Sequence, residues 1–237
     1  MTVDFKIWKV EEGVSDGFVD GAIDAIGDLD TQIDTNLAAE AMNPSIPFQS
    51  VGTDYGDFIE TDLVPHVVDN YGCPSDEECH IVITQSLALG AGGTLGTVKG
   101  SGNPFTTHPD CNSSEAAAAG VNTHSKTAGV SAYPSGDDTF EVTVMHNAIH
   151  ALLGDNIDTP SDGCSQGHSK DHSLGRITPE QNVSPAQIWY TAGLETGNIA
   201  PCDNCVHNAG VGADGATKDI SSCTTNQIAN SADNLGY

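Results

Sequence analysis

The sequence predicts an α+β fold, because strand-like and helix-like patterns of apolar residues follow one another along the chain. Residues 5–10 alternate between apolar and polar side chains, which is typical of a half-buried strand. Residues 80–84 form a β-branched apolar run, which is typical of a buried central strand, and residues 139–153 indicate a helix. The length of 237 residues suits about one large domain, and an apolar content of 38% is enough for a core.

The remaining elements follow from the same patterns. Apolar residues from Val14 to Ile33 recur at helical spacing with aspartates between them, so we expect a long amphipathic helix that Pro44 and Pro47 break. The other predicted elements are a short strand at 48–51, a helix at 57–68, an irregular edge strand within the glycine-rich residues 90–102, and a strand at 128–133. Residues 200–237 are expected to be loop-rich and tied by cysteines.

The charge balance argues against two classes of partner. The chain has 33 Asp and Glu residues against 7 Lys and Arg, for a net charge of −26. Binding to phosphates requires clustered cations, so nucleic acid and anionic membrane surfaces do not fit this composition. The acidic residues are spread from Asp4 to Asp233. Because a dispersed charge of this size repels itself at low salt and is screened at high salt, we expect a halophilic protein.

The cysteines indicate disulfides and export. Seven cysteines spread along the chain favour disulfides over one metal cluster. Cys73 and Cys79 flank a short loop and could close a small ring, while Cys202 and Cys205 are expected to form a tight structural bridge. The odd number leaves one thiol unassigned. We therefore expect a secreted protein, and since residues 1–4 show no signal-peptide pattern, a numbering that begins at a mature or recloned form.

His146 and His150 are the strongest candidates for a metal site. They stand four residues apart in the helix predicted at 139–153, so both imidazoles project from one face about one turn apart. This spacing lets two nitrogens bind one zinc ion. Asp138 and Glu141 are placed to cap the start of the helix, and Gly154 to end it.

Residues 144–154 resemble the active-site helix of the zincin metallopeptidases, whose signature is H-E-x-x-H; here they read VMHNAIHALLG. The order of elements over residues 3–155 is also similar to the N-terminal subdomain of the metzincin branch. The resemblance implies a twisted, mostly parallel sheet with an antiparallel edge strand, a long backing helix and an active-site helix. It further implies an N-terminal zincin-like part at 1–155 and a small loop-rich C-terminal part at 156–237 that completes the metal site.

Zinc needs at least one further protein ligand, and we favour His172, because a neighbouring leucine and glycine can anchor its loop. The alternatives are nearby residues that offer a nitrogen or an oxygen: His168, Asp155, Asp158 and Asp171. The metzincin continuation H-x-x-G-x-x-H is not met, and residues 184–190 occupy the place of the family's Met-turn without a methionine. Tyr190 in that stretch could polarise a bound carbonyl or complete the coordination, although packing beside Trp189 is the simpler interpretation.

Asn147 stands where the family has its catalytic glutamate. That glutamate accepts a proton from the attacking water and passes it to the leaving amine. An amide cannot do this near neutral pH, although it can hold a water by a hydrogen bond. General-base catalysis contributes typically about 10²–10⁴-fold, so this chain is expected to be inactive or very slow.

Two functions from different classes follow. The first is a secreted zinc endopeptidase that hydrolyses an extended peptide or protein, with residues 90–102 at the cleft rim pairing with the substrate by strand addition. The second is a non-catalytic extracellular pseudo-peptidase that keeps the zinc for stability or peptide binding. A structural protein without metal is a third possibility. The remaining histidines are expected to be structural or at the surface: His66, His80, His108, His124 and His207.

Overall fold

The computed structural model describes residues 1–10, 14–47, 55–85, 92–122, 137–153, 182–183, 185 and 215–237. The strands predicted at 48–51 and 128–133 lie outside these residues, as does the helix-ending role of Gly154. Among the described helices, none is long and apolar enough to cross a membrane.

A five-stranded sheet forms the centre of the described fold. Its order is β2-β1-β3-β5-β4, in which the first four strands are parallel and β4 is an antiparallel edge strand. The strands are β1 (Thr2–Lys9), β2 (Asn36–Ala41), β3 (Glu78–Thr84), β4 (Gly92–Leu95) and β5 (Ala117–Asn122). Two short strands, β6 (Asn182–Val183) and β7 (Gly215–Ala216), pair separately. The mostly parallel sheet with an antiparallel edge is the arrangement that the resemblance implies.

Helices flank this sheet. They are α1 (Asp16–Asp30), α2 (Tyr55–Phe58), a π-helical turn (Ile59–Leu63), α3 (Val64–Tyr71), a 3₁₀ turn (Pro104–Thr107), α4 (Asp137–Leu152) and α5 (Ser222–Leu235). Helices α1 and α4 contact each other, and α4 also contacts β4, β5 and α5. Strands β3 and β5 and helix α4 are buried along most of their length, so the core lies between the central strands and this helix.

Three residues on neighbouring strands lie in register on one face of the sheet: Trp8, Val82 and Gly120. The Tyr55 ring lies directly over Gly120, since a Cβ built there would fall 1.9 Å from Tyr55 Cδ1. Trp8 makes edge contacts with the rings of His66 and Tyr71 in α3. The helical segment 55–71 therefore covers this face, in agreement with the helix predicted at 57–68.

Three predictions of local structure were wrong. The first helix ends at Asp30, and β2 occupies residues that had been assigned to its continuation. The segment 222–235 is not loop-rich but forms α5, which begins at a Ser221 cap that accepts from Thr224 N. Helix α4 begins at Asp137, so Asp138 lies inside its first turn and does not precede it.

The disulfide pairing also differs from the small ring proposed for Cys73 and Cys79. Cys73 is bonded to Cys111, with their Cα atoms 5.3 Å apart. Cys79 lies in the middle of the core on β3, where it remains a buried free thiol, and burial raises its pKa. Cys223 is disulfide-bonded as well. The physical reason for the Cys73 pairing is that the loops preceding β3 and β5 meet at one edge of the sheet, since these strands are parallel neighbours.

Candidate metal centre

Helix α4 carries the candidate site and is enclosed by apolar side chains on nearly all sides. Its buried apolar residues cover every turn: Phe140, Val142, Val144, Met145, Ala148, Ile149, Ala151 and Leu152. Four polar side chains are buried on the same helix: Thr139, Thr143, His146 and Asn147. Polar groups on such a helix must be satisfied or must serve a ligand, because an unpaired buried polar group costs free energy.

His146 and His150 converge as their spacing predicts. Their Nε2 atoms are 3.1 Å apart, and their ring planes are nearly perpendicular, at 84°. His146 is buried, whereas His150 is partly exposed. The pair thus presents two imidazole nitrogens at one point on the helix, with access from the side of His150.

A backbone carbonyl fixes the tautomer of His146. Its Nδ1 lies 2.9 Å from the carbonyl oxygen of Pro185, and since that oxygen can only accept, Nδ1 carries the proton. In the neutral ring, Nε2 then offers its lone pair towards His150. A ligating histidine commonly donates its other ring N–H to a carbonyl or carboxylate, which fixes the tautomer and the ring orientation.

The geometry of the two nitrogens fits zinc. Two ligands at zinc–nitrogen distances of about 2.0–2.1 Å in a tetrahedral site are separated by roughly 3.3 Å. The observed separation of 3.1 Å is close to this value. Without a metal, the same separation corresponds to a hydrogen bond donated by His150 Nε2 to His146 Nε2. A cation between the two rings would replace that shared proton.

Asn147 is buried beside this pair, and its amide is bonded within the helix. Its Nδ2 donates to the carbonyl oxygen of Thr143 at 2.8 Å. Thr143 makes the same kind of contact, donating its hydroxyl to Thr139 O at 2.7 Å. The amide of Asn147 is therefore held against the preceding turn of α4.

The other predicted site residues lie outside the described part of the chain. They are the favoured third ligand His172, its alternatives His168, Asp155, Asp158 and Asp171, and the tyrosine Tyr190. Within the described ranges, no group of three or more His, Cys, Asp or Glu side chains converges. The structure thus brings together two of the three predicted zinc ligands.

One contact of the site was not predicted, namely the carbonyl of Pro185 at His146. The sequence contains one indication of this contact, because residues 184–190 occupy the place that the Met-turn has in metzincins. A backbone acceptor has no side-chain signature, so sequence alone could not assign this role.

Comparison with known proteins adds no family assignment. No protein-family model matches the chain. No curated protein matches it either.

Proposed function

We propose that this chain is a secreted, salt-adapted protein of the zinc metallopeptidase type, in which His146 and His150 hold one zinc ion. The observation that carries the proposal is the convergence of their Nε2 atoms at 3.1 Å on a buried helix. His172 is proposed as the third ligand, with His168 or a nearby aspartate as alternatives. When bound, zinc would act as a Lewis acid that polarises a carbonyl and activates water.

The chain's own residues have separate tasks in this proposal. His146 is oriented by Pro185 O, and His150 faces the more open side of the helix. Strand β4 lies at the edge of the sheet, where it pairs with β5. Its outer edge is therefore suited to pairing with an extended peptide by strand addition. We propose such a peptide or protein as the substrate, and Tyr190 as a group that stabilises the reacting carbonyl.

A second function is favoured by Asn147. Its Nδ2 donates to Thr143 O, which a carboxylate cannot do, because two acceptor oxygens would then face each other. This observation favours a non-catalytic zinc-dependent peptide-binding protein, since no base stands in the family's position.

Restoring the base separates the two functions. We would compare Asn147→Glu with Asn147→Gln, which has the same length but no base, and measure cleavage of an unstructured polypeptide in molar salt with zinc. If the chain is a peptidase scaffold, Asn147→Glu cleaves at least about 10²-fold faster than Asn147→Gln, as general-base catalysis typically provides.

The opposite result also has a clear meaning. Equal, negligible cleavage by both variants, with zinc bound to each, contradicts the peptidase function and supports the non-catalytic one. Zinc absent from all forms contradicts both.

A further inference from the structure

The last turn of α4, directly after His150, is held by groups from distant parts of the chain. Val98 N donates to Ala151 O at 2.9 Å, and Thr97 Oγ1 donates to Leu153 O at 2.9 Å. The Tyr237 hydroxyl donates to the carbonyl oxygen between them, that of Leu152. Three successive carbonyls thus have partners outside the helix.

This arrangement is unusual for a helix end. The last four carbonyls of an α-helix lack partners within it and are normally satisfied by water or by a glycine-based cap. Here two segments far away in sequence supply the donors. Both Thr97 and Tyr237 are buried, and burial raises the pKa of the Tyr237 phenol, so that it remains a donor.

The two capping segments are joined through Lys99. Its Nζ donates to Gly236 O at 3.0 Å and pairs with Glu77 at 2.8 Å. Its backbone N contacts Glu115 O, and its φ of 54° lies in the left-handed region that non-glycine residues rarely adopt. The backbone that presents Thr97 and the segment that presents Tyr237 are therefore fixed to each other.

We infer that Thr97 and Tyr237 are positioning residues of the metal centre: they hold the last turn of α4 and so fix the imidazole of His150 relative to that of His146. The inference rests on the proposed zinc function. His146 is oriented by Pro185 O, and His150 directly precedes the three capped carbonyls, so the position of its backbone follows that of the last turn. Groups that hydrogen-bond directly to a metal ligand typically change metal affinity by about 10–100-fold when removed, and since Thr97 and Tyr237 act through the backbone of the helix, we expect the lower end of that range.

The test uses Tyr237→Phe, which removes one hydroxyl and keeps the ring, and Thr97→Val, which keeps the shape of the side chain. The matched control is Tyr71→Phe, because Tyr71, which lies on α3, also donates its hydroxyl to a backbone carbonyl, that of Asn43. For each full-length protein we would measure the zinc dissociation constant. In the absence of zinc we would also measure the amide hydrogen exchange of the intact protein, read from a proteolytic fragment that covers residues 146–153.

We expect zinc affinity to fall about 10-fold or more in Tyr237→Phe and Thr97→Val, with faster exchange in residues 146–153, and neither change in Tyr71→Phe. Faster exchange with unchanged zinc affinity would overturn the inference, since the cap would then serve stability alone. An equal loss of affinity in Tyr71→Phe would also overturn it. If the unsubstituted protein binds no zinc, both the proposed function and this inference fail. If the unsubstituted protein and the capping variants bind zinc equally well, only this inference fails.

Discussion

His80 is enclosed in a hydrogen-bonded chain on the sheet face covered by α3. Trp8 Nε1 donates to His80 Nδ1 at 3.0 Å, and His80 Nε2 donates to Glu78 at 3.1 Å. Burial lowers the pKa of His80, and the hydrogen bond and charge of Glu78 only partly oppose this. The ring is therefore neutral, with Nδ1 accepting, and its protonation would break the bond from Trp8.

Acid should therefore weaken the fold at this residue. In the unfolded chain His80 binds a proton below about pH 6.5, whereas the folded protein resists it, so stability falls as the pH drops from 6.5 towards the lowered pKa. We expect His80→Gln, which keeps one donor and one acceptor, to lose less stability over that range. Denaturant unfolding at several pH values would measure this, with His108→Gln as the control. An unchanged pH dependence in His80→Gln would contradict the prediction.

Glu78 acts in the same direction. Burial alone would raise its pKa, but the hydrogen bonds donated by His80 and Ser75 and the charge of Lys6 outweigh it, and the pKa lies below its usual value. A carboxyl of this kind contributes stability above its unfolded pKa, and that contribution is lost as the pH falls through the folded pKa.

Two glycines should respond in opposite ways to the same substitution. A Cβ at Gly120 would collide with the Tyr55 ring, so Gly120→Ala is expected to destabilise the protein by about 1–3 kcal/mol. A Cβ at Gly27, exposed inside α1, meets nothing within 4 Å, so Gly27→Ala should stabilise it by about 0.5–1 kcal/mol. Thermal unfolding of both variants gives the comparison. A similar effect of both would show that the packing of Tyr55 on β5 is wrong.

At the scale of elements, the disulfide is the strongest single constraint on the loops that enter β3 and β5. It closes a segment with a sequence separation of 38 residues. Ser114 Oγ donates to Pro74 O at 3.0 Å, and Glu115 N donates to Asp76 at 2.9 Å, so the two loops also contact each other directly.

Removing this disulfide should cost about 2–4 kcal/mol, since the unfolded chain then regains the entropy of an open loop. The variant is Cys73→Ala/Cys111→Ala, and Cys79→Ala is the control because Cys79 is in no disulfide. Denaturant unfolding would measure both. A loss no larger than that of Cys79→Ala would contradict the assigned pairing.

The predictability of elements depended on how strongly their own residues favour one structure. The β-branched run at 80–84 and the helix at 139–153 were predicted correctly, because propensity and burial agree in them. Strands β2 and β5 are alanine-rich, with the sequences NLAAEA and AAAGVN, and were missed. Alanine favours helices, so these residues form strands only because β1 and β3 offer them partners.

The same reasoning explains which contacts of the site and which cysteine pairing could be predicted. His146 and His150 could be predicted, because a spacing of four on a helix determines their geometry without the rest of the fold. The capping of α4 by Thr97 and Tyr237, and the pairing of Cys73 with Cys111, depend on contacts between segments far apart in sequence. No local pattern reports such contacts.

The molecule as a whole carries far more negative than positive charge. All four lysines of the described ranges pair with carboxylates, each joining two parts of the fold: Lys6 with Glu40, Lys9 with Asp16, Lys99 with Glu77, and Lys218 with both Asp28 and Glu141. With 33 acidic residues in the chain, most carboxylates cannot find such a partner. Repulsion among them is the main long-range electrostatic effect.

Stability should therefore rise with salt. Between about 0.15 M and about 1 M the screening length falls from about 8 Å to about 3 Å, which weakens this repulsion. Replacing two exposed aspartates of α1, Asp20→Lys/Asp24→Lys, changes the net charge from −26 to −22 and should reduce the salt dependence. Unfolding temperatures in a sodium chloride series would measure it. A parent protein that is equally stable at all these salt concentrations would contradict the expected adaptation to salt.

Measuring the bound metal is the decisive test of the proposal that His146 and His150 hold a zinc ion. Protein purified in molar salt without chelator would be measured by elemental mass spectrometry beside the variant His146→Ala/His150→Ala. We expect about one zinc per chain in the parent and none in the variant, because the variant lacks both histidine ligands. Absence of stoichiometric metal from both would reduce the pair to hydrogen-bonded core histidines and contradict the proposed function.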